Sequence, residues 1–239
     1  MFGKSRKKKS GHVEMHFGGA SYLGNFILGW QDGLVNVLGI ILGVAVATND
    51  FKILLIAALA ATFAESVSMA AVAYTSSKAE TDFYWSEVRR EKKEMKDVPE
   101  VERAEVRQIY RRIGFTGRML DKIVRHITSN KKRWLDVMMV QELKLSPPRI
   151  SPVKMAAIVG LSAIVGSVIP IIPFLFMPIS QALWGSLILA TAVLFCVGIY
   201  KAKRTVGSPI KSGIELAIIG MMAALVGYAI GAVLGATVV

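Results

Sequence analysis

The chain alternates between long apolar blocks and one long polar stretch. Five blocks, near 23–47, 53–76, 153–177, 182–200 and 212–238, are each long enough to cross roughly 30 Å of hydrocarbon, which takes about 20 residues of helix. Between the second and third lies a charged stretch, 78–150, with almost no apolar run. Its pattern predicts three or four polar helices. One carries EVRREKKEM; one restarts after Pro99 in KDVPEVERAEVRQIYRRIG and stops at Gly114; a last one, over about 131–144, holds WLDVMMVQEL. The expected fold class is all-α: a polytopic membrane protein with five transmembrane helices and a helical insert between helices 2 and 3. The expected divisions are a basic arm over 1–22, partly interfacial after Gly11; transmembrane helices 1 and 2 over 23–77; the insert over 78–150; and transmembrane helices 3 to 5 over 151–239.

Within the blocks, small residues recur at spacing four: Gly29 with Gly33, Gly39 with Gly43, and Gly227, Gly231 and Gly235 in series. Such spacing lets helix backbones approach closely, either within one subunit or across a dimer seam. The third block ends in VIPIIPFLFMP, where Pro170 and Pro173 are expected to bend or break the helix and Pro178 to close it.

Composition agrees with a membrane chain: 53% of the residues are apolar, and the mean hydropathy is +0.49. The net charge of +12 changes the picture only through its placement. With the N-terminus inside, every Lys and Arg except Lys52 falls in the arm, the insert with its flanks to Lys154, or the 201–211 loop. The short arm and that loop carry the argument, and they predict N-terminus and insert cytosolic, C-terminus outside. Because the basic residues follow this rule and interleave with glutamates, a nucleic-acid partner is not expected. The first residues lack the apolar core and small-residue cleavage site of a signal peptide. One cysteine, Cys196, excludes a disulfide framework or a cysteine metal cluster and reads as a small apolar residue of the fourth span.

Three acids fall in or beside the spans: Asp32, Glu65 and Glu215. A charge at bilayer depth is costly and commonly marks a site. Asp32 lies about ten residues, roughly 15 Å, into its helix, and Glu65 is equally far from both ends of the second span. The two are therefore expected to meet near the bilayer middle. Met69 shares a helix face with Glu65, and a carboxylate beside a thioether is a slightly soft ligand set for a divalent transition metal. The bland alternative is that each acid is protonated and hydrogen-bonded to a neighbouring helix. Glu215, one turn into the last span, is as well explained by an ion pair with Lys211 or Arg204.

In the insert, Glu91 and Glu94 are three apart, as are Glu102 and Glu105, so each pair shares a helix face. Met138 and Met139 lie four and three residues before Glu142. Each pair alone is most simply a solvated face or a bit of core. Together they can converge into a cluster of oxygen and thioether ligands suited to Fe2+ or Mn2+, with Zn2+ and Co2+ as further ions of the same class.

At this point the sequence resembles the vacuolar iron transporter family. The resemblance runs from about Gly24 to the C-terminus, through DGLV in the first span, SVSMAAVAY in the second and KAETDFYWSEVRREKKEM leading into the insert. It continues in PEVERAEV, LDVMMVQELKL, GSVIPIIPFLF and SPIKSGIELAIIG. It implies a homodimeric carrier exchanging cytosolic Fe2+ for protons, with its pathway at the subunit interface. Asp32 and Met69 would line that pathway. Glu91, Glu94, Glu102, Glu105, Met138, Met139 and Glu142 would hold metal in the insert. In this family the second helix has an acid eight residues before the methionine; here that position is Ala61, and Glu65 stands one turn along the same face.

The expected function is therefore divalent metal transport out of the cytosol, with iron as substrate and no cofactor. The membrane would be the plasma membrane in a prokaryote and the vacuolar membrane in a eukaryote. A Mn2+-preferring carrier, or a membrane-anchored metal sensor or buffer without transport, remain the alternatives. An enzyme is not expected: a di-iron oxidase needs two Glu-x-x-His motifs, and none of His12, His16 and His126 lies three after a glutamate.

Overall fold

The computed structural model describes residues 19–204 and 207–238. Most of the expected arm, including its interfacial segment, lies outside them. The described chain is mostly helical, with no strand among the described residues, and five of its helices are long and apolar enough to cross a membrane. They are α1 (Gly19–Thr48), α2 (Phe51–Asp97), α6 (Pro152–Val168) continued by α7 (Ile172–Phe176), α8 (Ile179–Arg204) and α9 (Pro209–Val238). The insert adds α3 (Pro99–Ile113), α4 (Gly117–Thr128) and α5 (Lys131–Val137).

The junctions follow from local chemistry. Between α1 and α2 the chain reverses in two residues: Asn49 takes a positive φ of 47°, and the Asp50 carboxylate caps α2 by accepting from the Ile53 amide at 3.0 Å. From Phe51 the sequence holds neither Gly nor Pro until Pro99. Nothing interrupts the helix, so α2 runs unbroken for 47 residues, about 70 Å. The second span and the start of the insert are thus one rod, and the expected division at 77/78 falls inside it. Pro99, with φ already fixed and no amide hydrogen to lose, opens α3. Gly114, at φ 112°, ends it. Asn130 caps α5 by accepting from the amides of Lys132 and Arg133. In the third span, Pro170 removes a backbone donor, and the helix tightens to a 3-10 turn over Ile169–Ile171 before α7 resumes. The Ser186 hydroxyl of α8 donates to the buried Pro170 carbonyl at 2.8 Å.

Helix α1 is central, packed against α2, α6, α8 and α9. Its glycines decide two of those contacts. A Cβ on Gly29 would meet Ser162 and Val159 of α6, and one on Gly33 would meet Ala163 and Ser167. On the opposite side, Gly39 and Gly43 pack against Ala223, Gly227 and Gly231 of α9, and Gly235 reaches Ala47. The spacing-four glycines are therefore seams inside one subunit. Apolar clusters fill the remaining space: Trp30, Leu34, Leu38 and Leu42 with α8 and α9, and Val37, Ile41 and Ala45 with Leu54, Ala58, Ile171 and Phe174.

Candidate metal sites in the membrane and the insert

Because α1 and α2 are antiparallel and joined by a two-residue turn, residues equally far from that turn face each other. The register places the Glu65 carboxyl within hydrogen-bonding reach of both Asp32 and Asn36. Asp32 and Glu65 are each half-buried, whereas Asn36, one turn further from the insert, is exposed. The expected pair of acids therefore meets, joined by an amide that the sequence pattern did not single out. The signal was present: Asn36 is four residues from Asp32, on the same face of an apolar helix.

Met69, one turn nearer the insert, lines a cleft of about 240 Å³ between α1, α2 and α6, with Asn25, Ser76, Ser77, Glu80 and Met155. Ala61 packs against the apolar cluster of Val37, Ile41 and Leu54. Glu215 is exposed on α9, and among the described residues no ion pair joins it to Lys211 or Arg204. Arg204 lies instead over the Tyr200 ring.

In the insert, the last turns of α2 and the first turns of α3 lie side by side, and the glutamate pairs face one another across them. Ligand oxygens of Glu91, Glu94 and Glu102 lie within 4.8 Å of one another. Glu105 and Glu142 are close enough to add their charge to the same group. Glu91 and Glu102 are 2% and 3% exposed, and Oε2 of each has no hydrogen-bond partner. Buried carboxylate oxygens without donors are costly unless a proton or a cation satisfies them. Arg90 offers partial compensation, 2.7 Å from Glu87, 3.6 Å from Glu91 and 3.7 Å from Glu94.

The electrostatics follow from this crowding. Burial first, then repulsion from Glu91, Glu105, Glu94 and Glu142, pushes the Glu102 pKa up to about 7. Desolvation, then repulsion from Glu105, Glu91 and Glu94, pushes Glu142 up to about 7 as well. Burial raises Glu91 too, with Glu94 adding to it.

Glu142 reaches the cluster through an irregularity. Beyond α5 the helix widens into a π-turn over Met138–Glu142, closed by the Leu143 amide donating to the Met138 carbonyl at 3.1 Å. The two methionines are both buried, but their surroundings differ. Met138 belongs to the hydrophobic core of the insert with Val106, Leu120, Val124, Ile127 and Trp134, whereas Met139 lies outside that cluster. A sequence reading that places Met138, Met139 and Glu142 on one side assumes α-helical periodicity, which the π-turn breaks.

A cluster of carboxylates with unpartnered oxygens is chemistry for a hard to borderline divalent cation, and a second acid pair lies within the apolar spans. Comparison with known proteins gives this arrangement a context. The VIT family matches residues 23–232. Vacuolar iron transporter 1 of Tulipa gesneriana is 32% identical over 220 residues, 91% of this chain and 89% of that protein. Vacuolar iron transporter 1 of Arabidopsis thaliana is 30% identical over 224 residues, 93% and 90% respectively. The vacuolar iron transporter of Plasmodium falciparum is 27% identical over 234 residues, 93% and 86%. With the helices, both carboxylate groups and the match across nearly the whole length in agreement, the chain belongs to the VIT family and is an integral membrane protein that transports metal ions, not an enzyme.

Proposed function

We propose that this protein carries Fe2+ out of the cytosol in exchange for protons, as a homodimer with its N-terminus and insert cytosolic. The observation that carries the reading is the pairing of Asp32 with Glu65 inside apolar spans, on the same rod that ends in the glutamate cluster of the insert. Iron as the cargo is supported by the names of the relatives. In the insert, Glu91, Glu94, Glu102, Glu105 and Glu142, with Met139, capture the ion. It then passes along α2 by way of Met69 to Asp32 and Glu65.

Exchange follows from the chemistry of the pair. Two like charges facing each other in hydrocarbon are costly unless a cation or protons neutralise them. A divalent cation neutralises both and displaces those protons, and release on the far side lets them reload. Dimerisation is supported by Asn36, an exposed amide midway along an apolar helix. Even with a bond to Glu65, an amide facing lipid is costly, and a second subunit lying over this face removes it from hydrocarbon.

The test is metal uptake into liposomes with an acidic interior, measured anaerobically for Fe2+ and Mn2+. Wild type is expected to accumulate Fe2+ as long as the pH gradient lasts, and Asp32→Ala and Glu65→Ala are expected to abolish it. Protein that binds metal through its insert but moves none under any gradient would make this a sensor or buffer.

A further inference from the structure

One cation stands among the carboxylates of the insert. Glu87, Arg90, Glu91 and Glu94 lie at spacings of three and four along α2, so their side chains share one face. Arg90 divides its guanidinium unevenly among the three acids. Its Nη2 lies 2.7 Å from Glu87 Oε2, a charge-assisted hydrogen bond, and 3.6 Å from Glu91 Oε1. Its Nε lies 3.7 Å from Glu94 Oε2. The tight hold is thus on Glu87, which is outside the converging ligand group. The contacts to Glu91 and Glu94, which belong to that group, are too long for hydrogen bonds. Other arginines of the insert are engaged elsewhere, Arg103 with Glu100 and Arg107 with Asp121. Among the described residues no other ion pair reaches a glutamate of the cluster. The Arg90 side chain is 49% exposed, so its head can turn toward solvent without disturbing the core.

We propose that Arg90 is a positioning residue for the metal site: it neutralises Glu91 and Glu94 while the cluster is empty and withdraws onto Glu87 when a divalent cation arrives. The proposal rests on the reading of the insert glutamates as the capture site. The argument is one of competing charges. Carboxylates crowded together out of water repel, and a guanidinium beside them offsets part of that cost. A divalent cation brings twice the charge and direct ligation, so it takes Glu91 and Glu94 from a guanidinium that holds them only loosely. Because the hydrogen bond to Glu87 is kept throughout, Arg90 gives up two weak contacts and no strong one. It stays within reach and returns when the ion leaves. A tethered counter-ion of this kind lowers metal affinity, which suits a site that hands its cargo on rather than storing it. Glu87 is the anchor. Without it the guanidinium has only Glu91 and Glu94 to bind and competes harder with the ion.

The experiment is calorimetric titration of Mn2+ into the full-length protein in detergent at pH 8. A Glu65→Ala parent is used so that the intramembrane pair does not contribute. Arg90→Gln is expected to tighten Mn2+ binding several-fold, and Glu87→Gln to weaken it several-fold. The general field of a lost charge predicts the same two signs, so the double variant decides. Where Glu87 acts through Arg90, Glu87→Gln loses most of its effect once Arg90 is replaced, and the two substitutions are strongly non-additive. Additive effects would overturn the proposal, because Glu87 would then be a ligand or a plain charge. Melting of the metal-free proteins is a second readout. Arg90→Gln is expected to melt below its parent, since the empty cluster loses its counter-ion, and saturating Mn2+ is expected to remove the difference. A parent that binds Mn2+ no more weakly than Arg90→Gln would overturn the role of Arg90 alone. A parent whose Mn2+ binding survives Glu91→Gln with Glu102→Gln would overturn the capture site and the proposal together.

Discussion

Glu65 of α2 meets Asp32 of α1 inside the membrane domain, and the Asn36 amide lies against the same carboxyl. The family resemblance implies an acid at the position of Ala61, one turn further from the insert. Ala61 packs against the apolar cluster of Val37, Ile41 and Leu54, where a carboxylate would lie against aliphatic side chains. In Glu65→Ala, adding Ala61→Glu is therefore expected to lower the melting temperature and to leave Fe2+ transport absent, read by thermal unfolding in detergent and by liposome uptake. Recovery of transport would show that depth along the helix, and not the Asp32–Asn36 partnership, sets the role of the acid.

Metal binding by the insert is expected to strengthen as pH rises from 6 to 8. Glu102 and Glu142 both titrate near 7, and a bound proton must leave before a cation binds. At pH 6 each group with a pKa near 7 weakens affinity by about tenfold relative to pH 8. Titration with Mn2+ at the two pH values checks this, and proton release on binding should be largest near neutrality.

Stability of the metal-free protein should run the other way. A carboxyl whose pKa is raised in the fold from 4.5 to about 7 contributes stability that is complete below 4.5. That contribution is lost as pH climbs through 7. Metal-free protein is therefore expected to melt at a lower temperature at pH 8 than at pH 5.5, and saturating metal should narrow or reverse the difference.

Glu102→Gln separates binding from folding. The amide keeps the shape of Glu102, which is 3% exposed, and removes its repulsion with Glu91, Glu94, Glu105 and Glu142. The variant is expected to melt higher than wild type without metal at pH 8 and to bind metal more weakly. Equal loss of stability and binding would mean that the carboxylate is held by structural hydrogen bonds, not kept for a cation.

The glycine seam between α1 and α9 gives a packing prediction. A Cβ on Gly227 would collide with the Gly39 carbonyl, whereas one on Gly24 meets nothing within 4 Å. Gly227→Ala is expected to destabilise the membrane domain by about 1–3 kcal/mol, because backbone cannot yield as a side chain does. Gly24→Ala should be nearly silent. Melting curves in detergent compare the two.

The sequence alone determined the five spans, the insert and the helical nature of both. These depend on the length of apolar runs and on breakers such as Pro99, Gly114 and Pro170, all local properties. It also placed Asp32 and Glu65 at matching depth, because rise per residue is fixed once a helix is granted, and it paired the insert glutamates by their spacing of three. Only the tertiary structure decided which helix lies opposite which face. Spacing-four glycines announce a close contact without naming the partner, and that partner proved to be α6 on one side of α1 and α9 on the other. A π-turn, invisible to a 3.6-residue reading, gave Met138 to the hydrophobic core and left Met139 outside it. Asn36 gained its meaning from the α1–α2 register. The reason is the same in each case: periodicity fixes which face a residue occupies, but what that face meets depends on packing among segments far apart in the chain.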